Sequence, residues 1–486
     1  MKKLVLLFFI FVYTLANSQD TVFYSKIGGP SSEYASDFIV ATDSTFYVLV
    51  NSGSDSNRLN SNIHVLEVNA YGKVKMTFEV GSFASEKGNK ILRQDSVIIV
   101  AGRSNGMVNT YSGVIYGFTV SGIKLYEKYF SIADEWSEIT QIVISNDTLL
   151  AIHEVIDSEV ENLRFVKMNA LTGQEYSNDE LPETFGYHLQ GLNLNKYGSG
   201  FLACGYLFGD SLDAFLMNLD GSFTTRWTLI HSLGGNDVYT ALDQFEDSTI
   251  IVVGYSESYF HPDEDILIHR ISAAGLIQAE AIQGYDINVN NKNDRAYAVE
   301  VQSWDSVYIT GYTDTYGEGM REVFISLIDS VLNNQSGSST FGTRSNESSI
   351  RIKKFGVGLV GIGYSEYETN GLSDALFWYR PKIKPTGLTE LFSNNSYSID
   401  KSILHLQDAQ MSENNQLYFS QEHQQFILAD SKLSQNSSVV IYNALGEVVF
   451  SNYVYQLGSL SHLKPGVYIA VFTFEDSKTT KKFLIH

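Results

Sequence analysis

Ten histidines and one cysteine set the limits on metal and nucleophile chemistry in this chain. The histidines stand at 64, 153, 188, 231, 261, 269, 405, 423, 462 and 486. No pair has the His-Glu-x-x-His spacing, and one cysteine cannot give a Cys/His zinc motif. His64, His153 and His269 fall inside strand-like runs, where a hydrogen-bonded structural histidine is the expectation. Cys204 sits in the apolar stretch 201–206 and reads as a buried thiol. Gly254-Tyr-Ser-Glu-Ser258 and Gly363-Tyr-Ser-Glu-Tyr367 approach a nucleophile elbow but lack its second glycine. Phosphate-binding and dinucleotide fingerprints are absent.

Oxygen ligands are plentiful. Asp55, Asn57, Asn60 and Asn62 share one loop, and Asp263, Glu264 and Asp265 another. Neither has EF-hand spacing. Solvated loop tips are the first expectation, with weak calcium binding at Asp55, Asn57, Asp263 and Asp265 as the alternative. No other cofactor is indicated. Asp213, Asp265 and Asp374 recur at the starts of strands. Paired carboxylates of that kind could do acid–base work in a channel. Their recurrence favours a structural role, since a catalytic group is needed once and a cap in every copy.

The elements that position these groups are repeated. Asp43-Ser44, Asp95-Ser96, Asp147-Thr148, Asp247-Ser248 and Asp305-Ser306 each precede an apolar run. Gly198-Ser-Gly200 and Gly356-Val-Gly358 fill the same place in two further copies. The period is about 52 residues. A strand-built repeat of this length predicts a β-propeller with one four-stranded sheet per copy. Seven copies predict a seven-bladed ring over 19–381. The seventh copy lacks an outer strand, and 22–27 is a spare one. Its expected place is therefore the seventh sheet, closing the ring. The copies resemble the diverse propeller repeats of secreted bacterial surface proteins over about 21–380.

The ends set the destination. Met1-Lys2-Lys3, an apolar stretch over 4–15 and Ala16-Asn17-Ser18 read as a signal peptide, 1–18. No later run is long enough for a membrane span. After a linker at 382–394, residues 395–486 read as a small immunoglobulin-like β-sandwich. Its last 50 or so residues resemble the C-terminal sorting domain of the type IX secretion system of Bacteroidetes. The resemblance rests on the turn with Tyr442 and Gly446, the strand with Gly466 and Tyr468, and the basic end with Lys481 and Lys482. It implies handling by the type IX machinery and delivery through the periplasm to the outer surface or the medium. The Asn-Pro opening usual for such domains is absent near Ser396-Tyr397.

The net charge of −22 repels a phosphate backbone, which excludes nucleic acid as a natural partner. The expectation is a non-enzymatic exported propeller that binds an extracellular protein or glycan. The alternative is a secreted glycan hydrolase or lyase with carboxylates in the funnel. Any specific activity is expected where the repeat breaks: the fourth copy around His188, the loops after Asn51 and Tyr255, and the connection 283–293.

Overall fold

The computed structural model describes residues 23–28, 32–42, 45–53, 61–81, 85–106, 110–132, 135–156, 161–180, 186–257, 263–283, 292–315, 320–332, 334–342, 345–356, 358–366, 373–380, 394–398, 417–420, 425–428, 438–443, 448–453, 463–464, 466–474 and 477–485. Among these residues every regular element is a strand.

Residues up to Asp400 form one unit, a seven-bladed β-propeller. The first strand, β1 (Phe23–Gly28), is followed by blade 1: β2 (Glu33–Thr42), β3 (Thr45–Ser52), β4 (Asn62–Asn69) and β5 (Val74–Val80). Blade 2 is β6 (Glu86–Gln94), β7 (Val97–Ser104), β8 (Ser112–Thr119) and β9 (Lys124–Phe130). Blade 3 is β10 (Trp136–Ser145), β11 (Thr148–Ile156), β12 (Glu161–Asn169) and β13 (Glu175–Glu180). Blade 4 is β14 (Tyr187–Leu194), β15 (Phe201–Phe208), β16 (Leu212–Leu219) and β17 (Thr225–His231). Blade 5 is β18 (Asp237–Gln244), β19 (Ile250–Ser256), β20 (Asp265–Ile271) and β21 (Ile277–Gln283). Blade 6 is β22 (Asp294–Ser303), β23 (Ser306–Thr313), β24 (Glu322–Ile328) and β25 (Asn334–Phe341). Blade 7 has three strands of its own, β26 (Glu347–Phe355), β27 (Gly358–Ser365) and β28 (Asp374–Arg380). Its fourth strand is β1, antiparallel to β28 with Ser25 opposite Phe377. The spare N-terminal strand thus takes the expected place. A fifth strand, β29 (Asn394–Ser398), lies parallel to β1.

The repeated turn has a conformational reason. Between first and second strands the chain enters the left-handed region at Asp95, Asn146, Gly200, Ser248 and Gly356. Such hairpin turns favour Gly, Asn and Asp.

The continuous apolar runs of the second strands follow from burial on both faces. Alternate side chains of one strand enter different joints between blades. In β19, Ile251 and Val253 pack against blade 6, while Ile250 and Val252 pack against blade 4. Each of the seven joints holds one such cluster. The joint between blades 7 and 1 buries Ile27, Phe46, Val360 and Phe377 together. Sheets that cannot stand alone are stabilised by this stacking.

The second unit, from Lys401 on, is small and all-β. It holds a hairpin, β30 (Leu417–Ser420) with β31 (Gln425–Leu428). It also holds a sheet of β32 (Ser438–Asn443), β33 (Val448–Tyr453), β34 (Gly466–Phe474) and β35 (Ser477–Ile485), ordered β33-β32-β34-β35.

Candidate functional site at the mouth of the channel

The innermost strand of every blade carries a β-bulge at the same register. The pairing of first and second strands skips Ser36, Asn89, Thr140, Gln190, Thr240, Tyr297 and Ile350. A bulge bends its strand and re-aims a side chain. All seven skipped residues line one cavity of about 400 Å³ at one end of the channel. The next residues along (Asp37, Lys90, Gln141, Gly191, Ala241, Ala298 and Arg351) line the adjoining cavity of about 480 Å³. The two cavities share Lys90, Gln141, Gln190, Thr240 and Arg351, so the bulge lies where they meet.

Glycine marks the bulge in five blades. Gly102, Gly205, Gly254, Gly311 and Gly363 each lie opposite the residue just before it. A Cβ on any of them would come within 2 Å of a first-strand carbonyl oxygen, for example 1.8 Å from Val238 O at Gly254. In blades 4 to 7 a tyrosine follows this glycine, and in blade 2 Arg103 does. An isolated glycine in a strand is itself a bulge signal, and it was the clue to this ring.

Side chains tie every joint around the axis. Asp37 Oδ2 accepts from Ile91 N, Asn89 Nδ2 donates to Ile139 O, and Gln141 Nε2 donates to Gln190 O. Asn193 Nδ2 donates to Leu242 O, and Thr240 Oγ1 to Ala296 O. Lys353 Nζ donates to Glu300 Oε2, and Arg351 Nε stands 3.4 Å from Asp37 Oδ1. Lys90, half-buried on the channel wall, is crowded by protein. Burial, reinforced by Arg351, lowers its ammonium to about 7, against the opposing pull of Asp37.

The residue after each marking glycine shows where the repeat departs from itself. Blades 4–7 carry Tyr206, Tyr255, Tyr312 and Tyr364 there. The aligned residues of blades 1–3 are Asn51, Arg103 and Glu154. Their cross-strand partners are Tyr34, Lys87 and Glu138. Charge therefore gathers over blades 2 to 4. Glu138 Oε2 lies 3.5 Å from Arg103 and 3.7 Å from Lys87. The Arg103 guanidinium sits 4.8 Å from both the Tyr111 and the Trp136 ring centroids. Glu154, buried beside the cavity, has Oε1 2.5 Å from His188 Nδ1. Burial raises the Glu154 carboxyl, opposed by the hydrogen bond from His188. His188 stacks on Tyr206 at 4.7 Å and meets Phe208 edge-on. The break around His188 thus does coincide with the channel mouth.

Two of the other tyrosines carry arginines on their faces. The Arg295 guanidinium lies 4.1 Å from the Tyr255 centroid and is paired with Glu264. Arg321 lies 4.5 Å from the Tyr312 centroid.

The recurring aspartates stand elsewhere. Asp265 and Asp374 are buried where a third strand meets the next blade, and neither lines the two cavities. Burial pushes the Asp265 carboxyl up to about 7, with Asp294 of blade 6 and Asp263 adding to it. Burial and then Glu33 of blade 1 push Asp374 to about 6. Beside them, Glu33 N donates to Ser373 O and Asp294 N to Glu264 O, so the backbone staples the joints at which these acids meet.

Of the calcium candidates, Asp263 Oδ2 accepts from Lys292 N, and Asp55 and Asn57 lie outside the described residues. In the second unit, Tyr468 is buried on β34 and its hydroxyl donates to Lys464 O. Gly466 opens β34 opposite Ile485, while Lys481 and Lys482 on β35 face Ala470 and Ile469. Tyr442 pairs with Val448, and Gly446 lies outside the described residues.

Residues 423–486 match the family of secretion system C-terminal sorting domains. A tail of this kind is the type IX sorting signal, and it marks the chain for export, to the medium or the cell surface. The chain is thus an exported seven-bladed propeller with a sorting tail. No curated protein matches it. Among solved structures it is similar to the β-propeller domain of the Trilobed protease from Pyrococcus furiosus, at 9% identity and a TM-score of 0.39, covering 74% of this chain and 100% of that one. It is also similar to a prolyl endopeptidase, at 11% identity and a TM-score of 0.42, covering 93% of this chain and 54% of that one. No helix among the described residues is long and apolar enough to cross a membrane.

Proposed function

We propose that this is a binding propeller, not an enzyme. It carries a signal peptide at 1–18, a ring at 19–381, a linker at 382–394 and a sorting module at 395–486. Type IX machinery of a Bacteroidetes cell delivers it to the surface or the medium. Its ligand is a glycan or extracellular protein seated on the channel mouth.

The ring of bulge residues supports this most directly. Ser36, Asn89, Thr140, Gln190 and Thr240 line a 400 Å³ bowl together with Tyr34, Tyr206 and Tyr297. Such a wall suits a hydroxyl-rich ligand, since each polar group offers a hydrogen bond and each ring an apolar face. The ionisable groups at the mouth are engaged with one another: Glu138 with Lys87 and Arg103, Glu154 with His188.

One observation favours the rival reading of a glycan hydrolase or lyase. Glu138 and Glu154 are non-repeated carboxylates directly opposite each other on one blade, and one touches an imidazole. An acid–base pair needs such groups. A glycan and surface-protein binding screen of residues 19–380, run beside a polysaccharide hydrolysis assay, separates the two. Binding without turnover, weakened at least about tenfold by Gln190→Ala, supports the binder. Hydrolysis abolished by Glu154→Gln overturns it. Calcium at the Asp55, Asn57, Asp263 and Asp265 loops remains part of the proposal. A melting temperature unmoved by a calcium chelator removes it.

A further inference from the structure

Three side chains that share no motif in the sequence converge at the joint between blades 4 and 5. His231 ends β17, the outer strand of blade 4. His269 and Glu280 stand directly opposite each other on β20 and β21 of blade 5. One ligand atom of each lies within 4.8 Å of both others. His269 Nε2 is 2.7 Å and His231 Nε2 3.8 Å from the same oxygen, Glu280 Oε2. The two imidazoles meet edge to face at 4.3 Å.

Protein hydrogen bonds alone do not account for the cluster. A proton chain from the Tyr239 hydroxyl through His269 to Glu280 would satisfy those three groups. It leaves His231 Nε2 buried with no hydrogen-bond partner. A buried lone pair or N–H without a partner is costly, because its hydration is lost and nothing replaces it. A cation among the three ligand atoms removes that cost. His231 and His269 then each offer an Nε2 lone pair, and Glu280 offers an oxygen.

The surroundings fit such an ion. A ligating histidine usually donates its other ring N–H to a fixed acceptor. The Tyr239 hydroxyl, fully buried, stands 2.6 Å from His269 Nδ1 and can accept that proton. Zinc binds imidazole nitrogen and carboxylate oxygen at about 2.0–2.2 Å, which spaces neighbouring ligand atoms about 3.3 Å apart. The separations of 2.7 and 3.8 Å bracket that spacing. His269 is fully buried, while the Glu280 side chain is 41% exposed. Solvent therefore reaches the cluster from the Glu280 side.

We propose that His231, His269 and Glu280 bind a divalent transition-metal ion of the zinc class and clip blade 4 to blade 5. Two imidazoles and one carboxylate suit zinc, which takes nitrogen and oxygen donors together, better than calcium, which takes oxygen alone. The ligands come from two blades, so the ion bridges the joint at its outer strands, away from the Asn193–Leu242 hydrogen bond near the axis.

The test uses the mature full-length chain without a histidine tag, stripped with chelator and titrated with zinc chloride in a calorimeter. The expected result is one equivalent bound, with a rise in melting temperature. Glu280→Gln and His231→Asn each weaken binding at least about tenfold and abolish the zinc-dependent rise. Both sites lie at strand or surface positions, so the metal-free variants should melt close to the metal-free parent. His269→Ala is avoided because it empties a core position. Absence of zinc binding by the parent overturns the proposal. So does binding undiminished in both variants.

Discussion

Glu154 Oε1 lies 2.5 Å from His188 Nδ1, and the two side chains come from different blades. Glu154 stands where blades 4 to 7 carry tyrosine, and His188 stacks on the first of those tyrosines, Tyr206. The contact therefore joins the last blade that lacks this tyrosine to the first that carries it. Glu154→Gln and His188→Gln should each destabilise the ring by about 1–2 kcal/mol. Their double mutant should cost less than the sum, with a coupling of about 1 kcal/mol in denaturant melts. Strict additivity would mean that the contact does not form in solution.

Asp265 supplies a pH prediction with a definite sign. Burial raises its carboxyl from the ordinary value near 3.8 to about 7 in the folded state. Between those values the unfolded chain releases a proton that the folded chain keeps. Stability is therefore full below about pH 4 and lost as pH rises through 7. Asp265→Asn removes the loss. Its melting temperature should exceed the parent's by about 2–4 °C at pH 8 and match it at pH 4. An equal shift at both pH values would contradict the assignment.

Ring closure depends on β1. Ile27 is fully buried against Val360 and Phe377, and its strand is the fourth of blade 7. Ile27→Ala should cost about 2–4 kcal/mol in unfolding free energy. Limited proteolysis should then cut blade 7 first. A neutral result would place closure elsewhere.

Cys204 is fully buried between blades 4 and 5, and burial pushes its thiol far above the ordinary range. A thiol reagent should leave the native protein unmodified for hours and react at once in denaturant. Rapid native labelling would show that the joint opens.

The tail predicts a location. Removing 423–486 should leave a folded propeller that accumulates in the periplasm, measured by cell fractionation. Its appearance outside the cell at the parent level would separate export from this tail.

The fold was largely legible in the sequence because a ring of stacked sheets repeats its own constraints. Each hairpin needs a residue tolerant of the left-handed conformation. The Asp-Ser turns are read through that need, with Asp95 and Ser248 at positive φ. Each second strand faces two joints, which makes 97–102 and 250–254 continuously apolar. The missing outer strand of blade 7 and the spare N-terminal strand could be matched by counting. The sorting tail was legible because its turn, its Gly-Val-Tyr strand and its basic end stand close together in the chain.

The sites were less legible, because ligands to one centre come from distant positions. The break around His188 pointed to the right blade, while the departures at Arg103 and Glu154 showed only in the register of the folded sheets. Only the bulge showed that Asn89, Thr140 and Gln190 turn toward one bowl, since a one-residue slip in register changes no composition. The recurring aspartates read as caps for individual blades, yet Asp265 and Asp374 answer to acids on the next blade. His231, His269 and Glu280 lie 38 and 11 residues apart, outside any local metal spacing. Local conformational need writes itself into neighbouring residues, and so the sequence determined the turns, the strands and the ring they close. Which side chains meet across a joint depends on register and stacking, and the tertiary structure alone decided that.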